Sequence, residues 1–327
     1  MNDAVSMDES SLATLVYRWG KASSEVLLEQ PHSQTFRAPG IEGMIGYSVQ
    51  SNFAITFGDP ICPSEQAAQL ATAFKKFCDD KKLSIIYIII SEKFASWAIQ
   101  NQCKVMIEAA EELVFDPQLN LVEGSKSKKL RNYIHHAINI GLQFHEYLVF
   151  DEQIERSIDQ LGKAWLKGRR GPQIHLGSLD FFKDRTSKRW FYVKQNDQIL
   201  GMVLLSRRES EKGWLLKFLL SHPEAPRGTS EFMMVSILEA LRNENCHYLT
   251  YGAVAASHLG QIVGLSVFSN WLAKIGFTLT KWIFRLDRQK IFWKKFQPKV
   301  ERSFILFSKP SVGVQELRAI LNSLKIN

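Results

Sequence analysis

The sequence predicts an α/β protein made of two successive mixed strand–helix units, residues 1–150 and 151–327. Three observations predict it. Strand and helix signals alternate along the whole chain, the pattern restarts after Phe150, and 327 residues are too many for one small core. An apolar content of 45% with 11% aromatics is that of a globular protein and excludes global disorder.

The elements follow in order. "MIGYSVQSNFAITFG" (44–58) reads as a strand pair. "PSEQAAQLATAFKKFCDDKK" (63–82) has apolar residues at helical spacing behind Ser64 as expected N-cap. "LSIIYIII" (83–90) is eight apolar or small residues, far short of the roughly 20 that a bilayer span needs, and is expected to be a central strand. A short helix (92–102) and a strand (110–117) precede the basic helix "SKKLRNYIHHAINIG" (127–141), which Gly141 closes at C′. "LQFHEYL" (142–148) is extended. The second unit begins with a helix (151–170), a strand hairpin (189–208) turning at Asn196-Asp197, and a strand (214–220). A helix after residue 228 and the strand "HYLTYGA" (247–253) complete it.

Composition bounds the chemistry. Cys62, Cys78, Cys103 and Cys246 are scattered with no CxxC, which fits reduced cytoplasmic thiols and predicts no metal site. The N-terminal stretch lacks the basic and apolar regions of a signal peptide. Net charge is +8, and between Lys281 and Lys299 seven Lys or Arg face one acid, Asp287. Trp271, Phe277, Trp282, Phe284, Phe292 and Trp293 lie in or beside that run. Aromatics mixed with cations suit an anionic membrane surface or the bases and phosphates of RNA; a solvated basic face over buried aromatics is the alternative.

The segment "SHPEAPRGTSEFMMVSILEAL" (221–241) places a Pro-rich loop between an apolar strand and an amphipathic helix. Acetyl-CoA-dependent N-acyltransferases use this arrangement, with a Gly-x-Gly turn that brings backbone N–H groups and the helix dipole onto a pyrophosphate. Here the turn reads Arg227-Gly228-Thr229-Ser230-Glu231, so side chains occupy the cradle and Glu231 repels pyrophosphate. An ordinary helix capped by Thr229 or Ser230 is the alternative.

"PEAPRGTSEF" and "HYLTYGAVA", with "FGDPICP" (57–63), "KKLRNYIHHAINIGLQF" (128–144) and "FWKKFQPKVERSFILF" (292–307), resemble the C-terminal catalytic domain of bacterial phosphatidylglycerol lysyltransferases, the multiple peptide resistance factor family (domain of unknown function 2156). The resemblance implies two tandem GNAT-like (acyl-CoA N-acyltransferase-type) domains with mixed central sheets, the second catalytic. It implies a freestanding transferase that moves an aminoacyl group from charged tRNA to a lipid hydroxyl at the inner membrane face. It further implies a cytoplasmic, peripherally bound protein using aminoacyl-tRNA as co-substrate, with no other cofactor and no stable protein partner. The family pattern has an acid and an arginine on the strand before the loop, where this chain has Lys217 and Leu220. "WLKGRRGPQIHLGSLDFFKDRTSKRWFY" (165–192) is closer to a freestanding branch that aminoacylates sterols.

Aminoacyl transfer to a hydroxyl needs a proton acceptor and oxyanion stabilisation. Glu231 is a candidate base or holder of the aminoacyl ammonium, His258 a candidate proton carrier, and Lys217 a candidate partner of the carbonyl oxygen. Their alternatives are a helix-start carboxylate, a surface histidine and an outward strand residue. Lys128, Lys129, Arg131 and Asn132 on the basic helix, Arg169 and Arg170 in "KGRRGP", and Lys294 and Lys295 are candidates for phosphate contact. Arg227, Gly228 and Thr229 form the loop itself, Gly252 lies in "YGAVA", and Asp59 in "FGDPI" binds substrate or fixes its turn. An acetyl-CoA acyltransferase and a non-catalytic lipid- or RNA-binding descendant remain as competing readings.

Overall fold

The computed structural model describes residues 9–29, 33–123, 127–168, 180–256, 258–265, 270, 274, 277 and 291–324. A mixed twelve-stranded sheet forms the centre. Its order is β1 (Gln34–Phe36), β2 (Ile45–Gln50), β3 (Phe53–Phe57), β4 (Ser84–Ser91), β12 (Lys299–Phe307), β5 (Val105–Phe115), β10 (Leu249–Ala255), β9 (Gly213–Ser221), β8 (Gln198–Arg208), β7 (Lys188–Gln195), β6 (Gln143–Tyr147), with β11 (Ile262–Val263) beside β5. Two strand pairs, β3–β4 and β9–β10, are parallel, and each is joined through a helix. The fold is α/β, with two strand–helix–strand units built on one mixed sheet.

Fully described helices are α1 (Glu9–Trp19), α2 (Val26–Glu29), α3 (Ala67–Asp80), α4 (Glu92–Asn101), α5 (Lys128–Asn139), α6 (Glu152–Gly168), α7 (Thr229–Asn243) and α8 (Val314–Leu324). Helix α3 begins later than Ser64. Gln66 N donates to Pro63 O, a turn that delays the first helical residue, and Gln66 is the N-cap. The close of α5 is as expected: Gly141 has φ +82°, and Leu142 N bonds Ala137 O at 3.0 Å.

Helices α5 and α7 cover one sheet face, where Leu130, Phe232 and Ile237 cluster with Val203, Leu205 and Leu216. Helix α6 and Phe181 cover the opposite face over Met202, Leu204 and Leu220. Strand β8 carries an irregularity at Leu200 and its partner β9 one at Lys217; from Met202 onward side chains of β8 alternate, so Ser206 and Arg208 share the face of Met202 and Leu204. In the other half Leu70 and Phe74 of α3 and Phe94 of α4 cluster with Ile85, Tyr87 and Leu306 of the sheet.

The expected division near residue 150 falls after α5 and β6, whose partners lie on its C-terminal side: Leu130 and Ala137 join the α7 core, and β6 pairs with β7. Strand β12 returns from the C-terminal region to sit between β4 and β5. The N-terminal segment also crosses the sheet. Val16 and Leu27 pack with Met44 and Ile61, while Tyr17 bonds Asp184 at 2.7 Å.

All four cysteines are free and buried, and burial pushes the Cys62, Cys78 and Cys103 thiols up to about 12. Among the described residues no helix is long and apolar enough to cross a membrane, and no His, Cys, Asp or Glu cluster has metal-holding geometry.

Candidate functional site

Strands β9 and β10 pair in parallel only at Trp214–Leu249 and Leu215–Thr250. Beyond that, β9 runs on to Ser221 while β10 stays with β5, to which it is paired along its length, with a bulge between Thr250 and Gly252. Gly252 makes the bend, with φ +84° and its N–H donated to Thr250 Oγ1 at 2.9 Å. The result is a forked opening in the sheet. The corresponding pair in the other half, β3–β4, stays zipped for five residues, Phe53–Phe57 against Ser84–Ile88, and opens no fork.

The loop from His222 to Gly228 leads from one prong of the fork into α7. Gly228 is its N-cap at φ +98°, and a Cβ there would stand 3.2 Å from both Tyr133 Cβ and Tyr133 O. Both the backbone angle and the closeness of α5 therefore demand glycine. Neither Thr229 nor Ser230 caps the helix: Thr229 Oγ1 donates to Pro226 O (2.7 Å) and Ser230 Oγ meets Ser221 Oγ (2.7 Å). Arg227 lies 5.5 Å above the Tyr133 ring and donates to its hydroxyl at 3.2 Å. Glu231 is buried and pairs with Lys295 at 2.5 Å, and the same ammonium sits 5.3 Å from the Tyr133 ring. Side chains thus close the helix start that would receive a pyrophosphate.

The chain matches the family described as "Phosphatidylglycerol lysyltransferase, C-terminal" over residues 14–307. It belongs to that family. A phosphatidylglycerol lysyltransferase from Staphylococcus xylosus is 22% identical over 274 residues, covering 82% of this chain and 32% of that protein. The chain spans about one third of the length of the curated relatives it matches. Among solved structures, the C-terminal domain of a protein assigned as a lysylphosphatidylglycerol synthetase from Agrobacterium fabrum superposes with TM-score 0.75 at 20% identity, covering 96% of this chain and 95% of that one. L-PGS from Bacillus licheniformis gives TM-score 0.75 at 16% identity, with 97% and 96% covered.

In this lysyltransferase-family chain, Arg227, Gly228 and Lys295 meet at Tyr133, with Glu231 on Lys295 and Thr229 turned back to Pro226. Lys128, Lys129 and Asn132 are exposed on the same helix, and Lys294 is exposed beside Lys295. Arg131 is half-buried and gives Nη1 to Val122 O at 2.8 Å, so it braces the preceding loop. Helix α6 ends at Gly168, where a Cβ would lie 3.2 Å from Pro223 Cγ; Arg169 and Arg170 lie outside the described residues, as do Lys281, Arg285, Arg288 and Lys290 and the aromatics Trp271, Trp282 and Phe284.

Other candidates stand apart. Asp59 is in the first half, where its carboxylate accepts from Ser91 N (2.8 Å) and Ser91 Oγ (2.6 Å) and burial pushes its pKa up. It fixes the turn. His258 is exposed on the loop after β10. Lys217 sits at the fork, with its ammonium held at 2.9 Å by both Glu25 and Glu29. Burial would lower its pKa, but those two carboxylates outweigh burial and raise it to about 12. A lysine so held stays charged, with its ammonium already engaged by both carboxylates.

Sequence reasoning missed Glu25, Glu29 and Arg208. Glu25 Oε1 accepts from Arg208 Nη2 at 2.5 Å, across 183 positions, and no local pattern signals such a pair. Burial works against the Glu25 carboxylate, yet Arg208 and Lys217 hold it at about 2. Glu29 has only a share of Lys217, and burial leaves its carboxyl raised. Tyr133 was also missed, although it lies inside the quoted "KKLRNYIHH".

A polar cavity of about 520 Å³ lies against the seam of the two halves, lined by Lys21, Glu112, Asp116, Glu211, Tyr248 and Glu301 among others. It is separate from the Tyr133 cluster. Gly252 lies against the N-terminal segment at the fork, where a Cβ would stand 3.4 Å from Ala22 Cβ. Gly252→Val is expected to lower the unfolding free energy by about 2 kcal/mol, since a β-branched residue is strained at positive φ and would press on Ala22. Urea denaturation measures it; an unchanged midpoint would remove Gly252 as the bend's determinant.

Proposed function

We propose that this chain is an aminoacyltransferase that moves an aminoacyl group from charged tRNA to a lipid hydroxyl, with its site at the β9–β10 fork and the start of α7. The observation that carries the reading is the closed helix start. Arg227 stacked on Tyr133 and Glu231 paired with Lys295 stand where coenzyme A would need bare backbone. The surface around them is rich in cations from α5, the loop and the 294–295 turn, which suits a polyanionic donor.

The donor ester is already activated, so no covalent enzyme intermediate is required. The acceptor hydroxyl oxygen attacks the aminoacyl carbonyl carbon and loses its proton, and the tRNA ribose hydroxyl leaves and takes a proton up. Lys128, Lys129, Arg227 and Lys294 are assigned to phosphate contact and His258 to proton transfer. Glu231 is already satisfied by Lys295, so its role is to hold that lysine and the helix start in register. The family's name supports phosphatidylglycerol as the acceptor class, and a peripheral position at the inner membrane face follows from that acceptor.

One observation favours a non-catalytic binding descendant: Lys217, at the fork, is locked between two carboxylates. Calorimetry separates the donors first. Charged tRNA is expected to bind, more weakly as salt rises, and acetyl-CoA not at all; measurable acetyl-CoA binding with none for tRNA would overturn the reading.

A further inference from the structure

The cavity of about 520 Å³ at the seam is floored by the sheet itself. Alternate residues of two neighbouring strands face it, Glu112 and Val114 of β5 and Lys299, Glu301 and Ser303 of β12. The register sets Glu301 directly opposite Glu112. Cβ atoms so paired stand roughly 4.5–5.5 Å apart, and two carboxylates there cost stability unless they share a cation. Glu301 takes Lys299 at 2.8 Å on the exposed rim. Glu112 has no ion-pair partner among the described residues; it accepts from Thr250 Oγ1 at 2.9 Å and from the Tyr248 hydroxyl at 3.4 Å. Burial pushes its carboxyl up, and Glu301 adds to that against the opposing pull of Thr250 and Lys21. Ser303, two positions along β12, is only 3% exposed and lines the same cavity, and its hydroxyl has no hydrogen-bond partner among the described residues. A buried hydroxyl of that kind is uncommon outside sites that hold a polar ligand.

We propose that this cavity binds an aliphatic diamine, with one ammonium bridging Glu112 and Glu301 and donating to Ser303 Oγ, and the other reaching Asp116. Charge and spacing select the class. Four carboxylates line the cavity, Glu112, Asp116, Glu211 and Glu301, against the ammonium groups of Lys21 and Lys299, which leaves two negative charges uncompensated. These acids do not converge on a point: among the described residues no His, Cys, Asp or Glu group has metal-holding geometry. Glu112 and Asp116 are four positions apart at the end of β5, roughly 13 Å at the rise of a strand. A linear cation charged at both ends serves both, and a primary ammonium brings three donors to the Glu112–Glu301–Ser303 corner. The site is separate from the fork. Glu211 and Tyr248 border the cavity just before the paired stretch of β9 and β10, and the fork opens after it. Diamine binding therefore stands independently of aminoacyl transfer.

Putrescine is the probe, with butylamine as the single-charge control and Mg²⁺ as the compact dication. Calorimetry and thermal unfolding are run on the full chain and on three variants. Putrescine is expected to bind the wild type saturably, tenfold or more tighter than either control, and to raise its Tm by roughly 3 °C. Glu112→Gln keeps an acceptor for Thr250 and removes the repulsion, so its ligand-free Tm should match or exceed that of the wild type while putrescine affinity falls at least tenfold. Asp116→Asn should bring putrescine down to the affinity of butylamine, and Ser303→Ala should weaken putrescine several-fold. The wild-type comparison of the three probes needs no variant to fold. No saturable putrescine binding, equal affinity for wild type and Glu112→Gln, or Mg²⁺ binding as tightly as putrescine would overturn the site.

Discussion

Glu25→Ala is expected to lower the unfolding free energy by about 3–5 kcal/mol, because it strands the buried Arg208 guanidinium and leaves Lys217 with Glu29 alone. The double variant Glu25→Met/Arg208→Met should recover most of that loss, since apolar side chains of similar size owe no desolvation cost. Urea denaturation of the wild type, both single variants and the double variant gives the coupling directly. The pH dependence has a definite sign. Glu25 is held at about 2 against an ordinary 4.5, so its stabilisation is complete above pH about 5 and is lost as pH falls from 4.5 toward 2. Glu29, whose carboxyl burial pushes up, works in the opposite sense and adds stability on acidification. A wild-type minus Glu25→Ala difference that stays constant down to pH 2 would contradict the pairing.

The second large effect concerns the cationic surface around Tyr133. Replacing Lys128, Lys129, Arg227 and Lys294 together by alanine is expected to weaken tRNA binding by roughly 100-fold at about 0.15 M salt, and to flatten the slope of log affinity against log salt by about 3. Arg131 is left out because Val122 O already engages it, and Arg131→Ala should act on stability more than on the salt slope. Filter binding across a salt series reads both quantities. A quadruple variant with the wild-type slope would remove the surface from the account.

The contrast between these effects reflects what a single sequence makes legible. The β9–loop–α7–β10 unit follows local rules: an apolar run, a Pro-containing loop, a glycine at the N-cap and helical periodicity. Those rules gave the strand–loop–helix order but offered Thr229 or Ser230 as the cap where Gly228 stands, and the filled cradle was visible as Thr229, Ser230 and Glu231 in place of glycines. The bond network was not visible, since Thr229 turns back to Pro226 and Ser230 to Ser221 rather than capping. The misplaced Ser64 cap has the same kind of cause, a turn over Pro63–Gln66 that propensity does not reveal.

Long-range pairings were further out of reach. Strand β12 reads as a polar stretch running into an apolar one in "KVERSFILF", but its place between β4 and β5 depends on partners about 200 residues away. Lys217 stood out as a departure from the family pattern, while Glu25 and Glu29, which explain how a buried lysine is tolerated there, lie in a stretch that carries no motif. The seam of the protein is thus written by contacts between distant segments, and the Tyr133 cluster by contacts between recognisable ones.

Aminoacyl transfer itself is tested most directly by incubating the full chain with tRNAs charged with labelled amino acids and a total lipid extract, then counting label in the organic phase. The account predicts label in a lipid for at least one amino acid, released by mild alkali as an ester, and greatly reduced with the quadruple surface variant. No label in the lipid phase with any charged tRNA, from a preparation that binds tRNA, would contradict it.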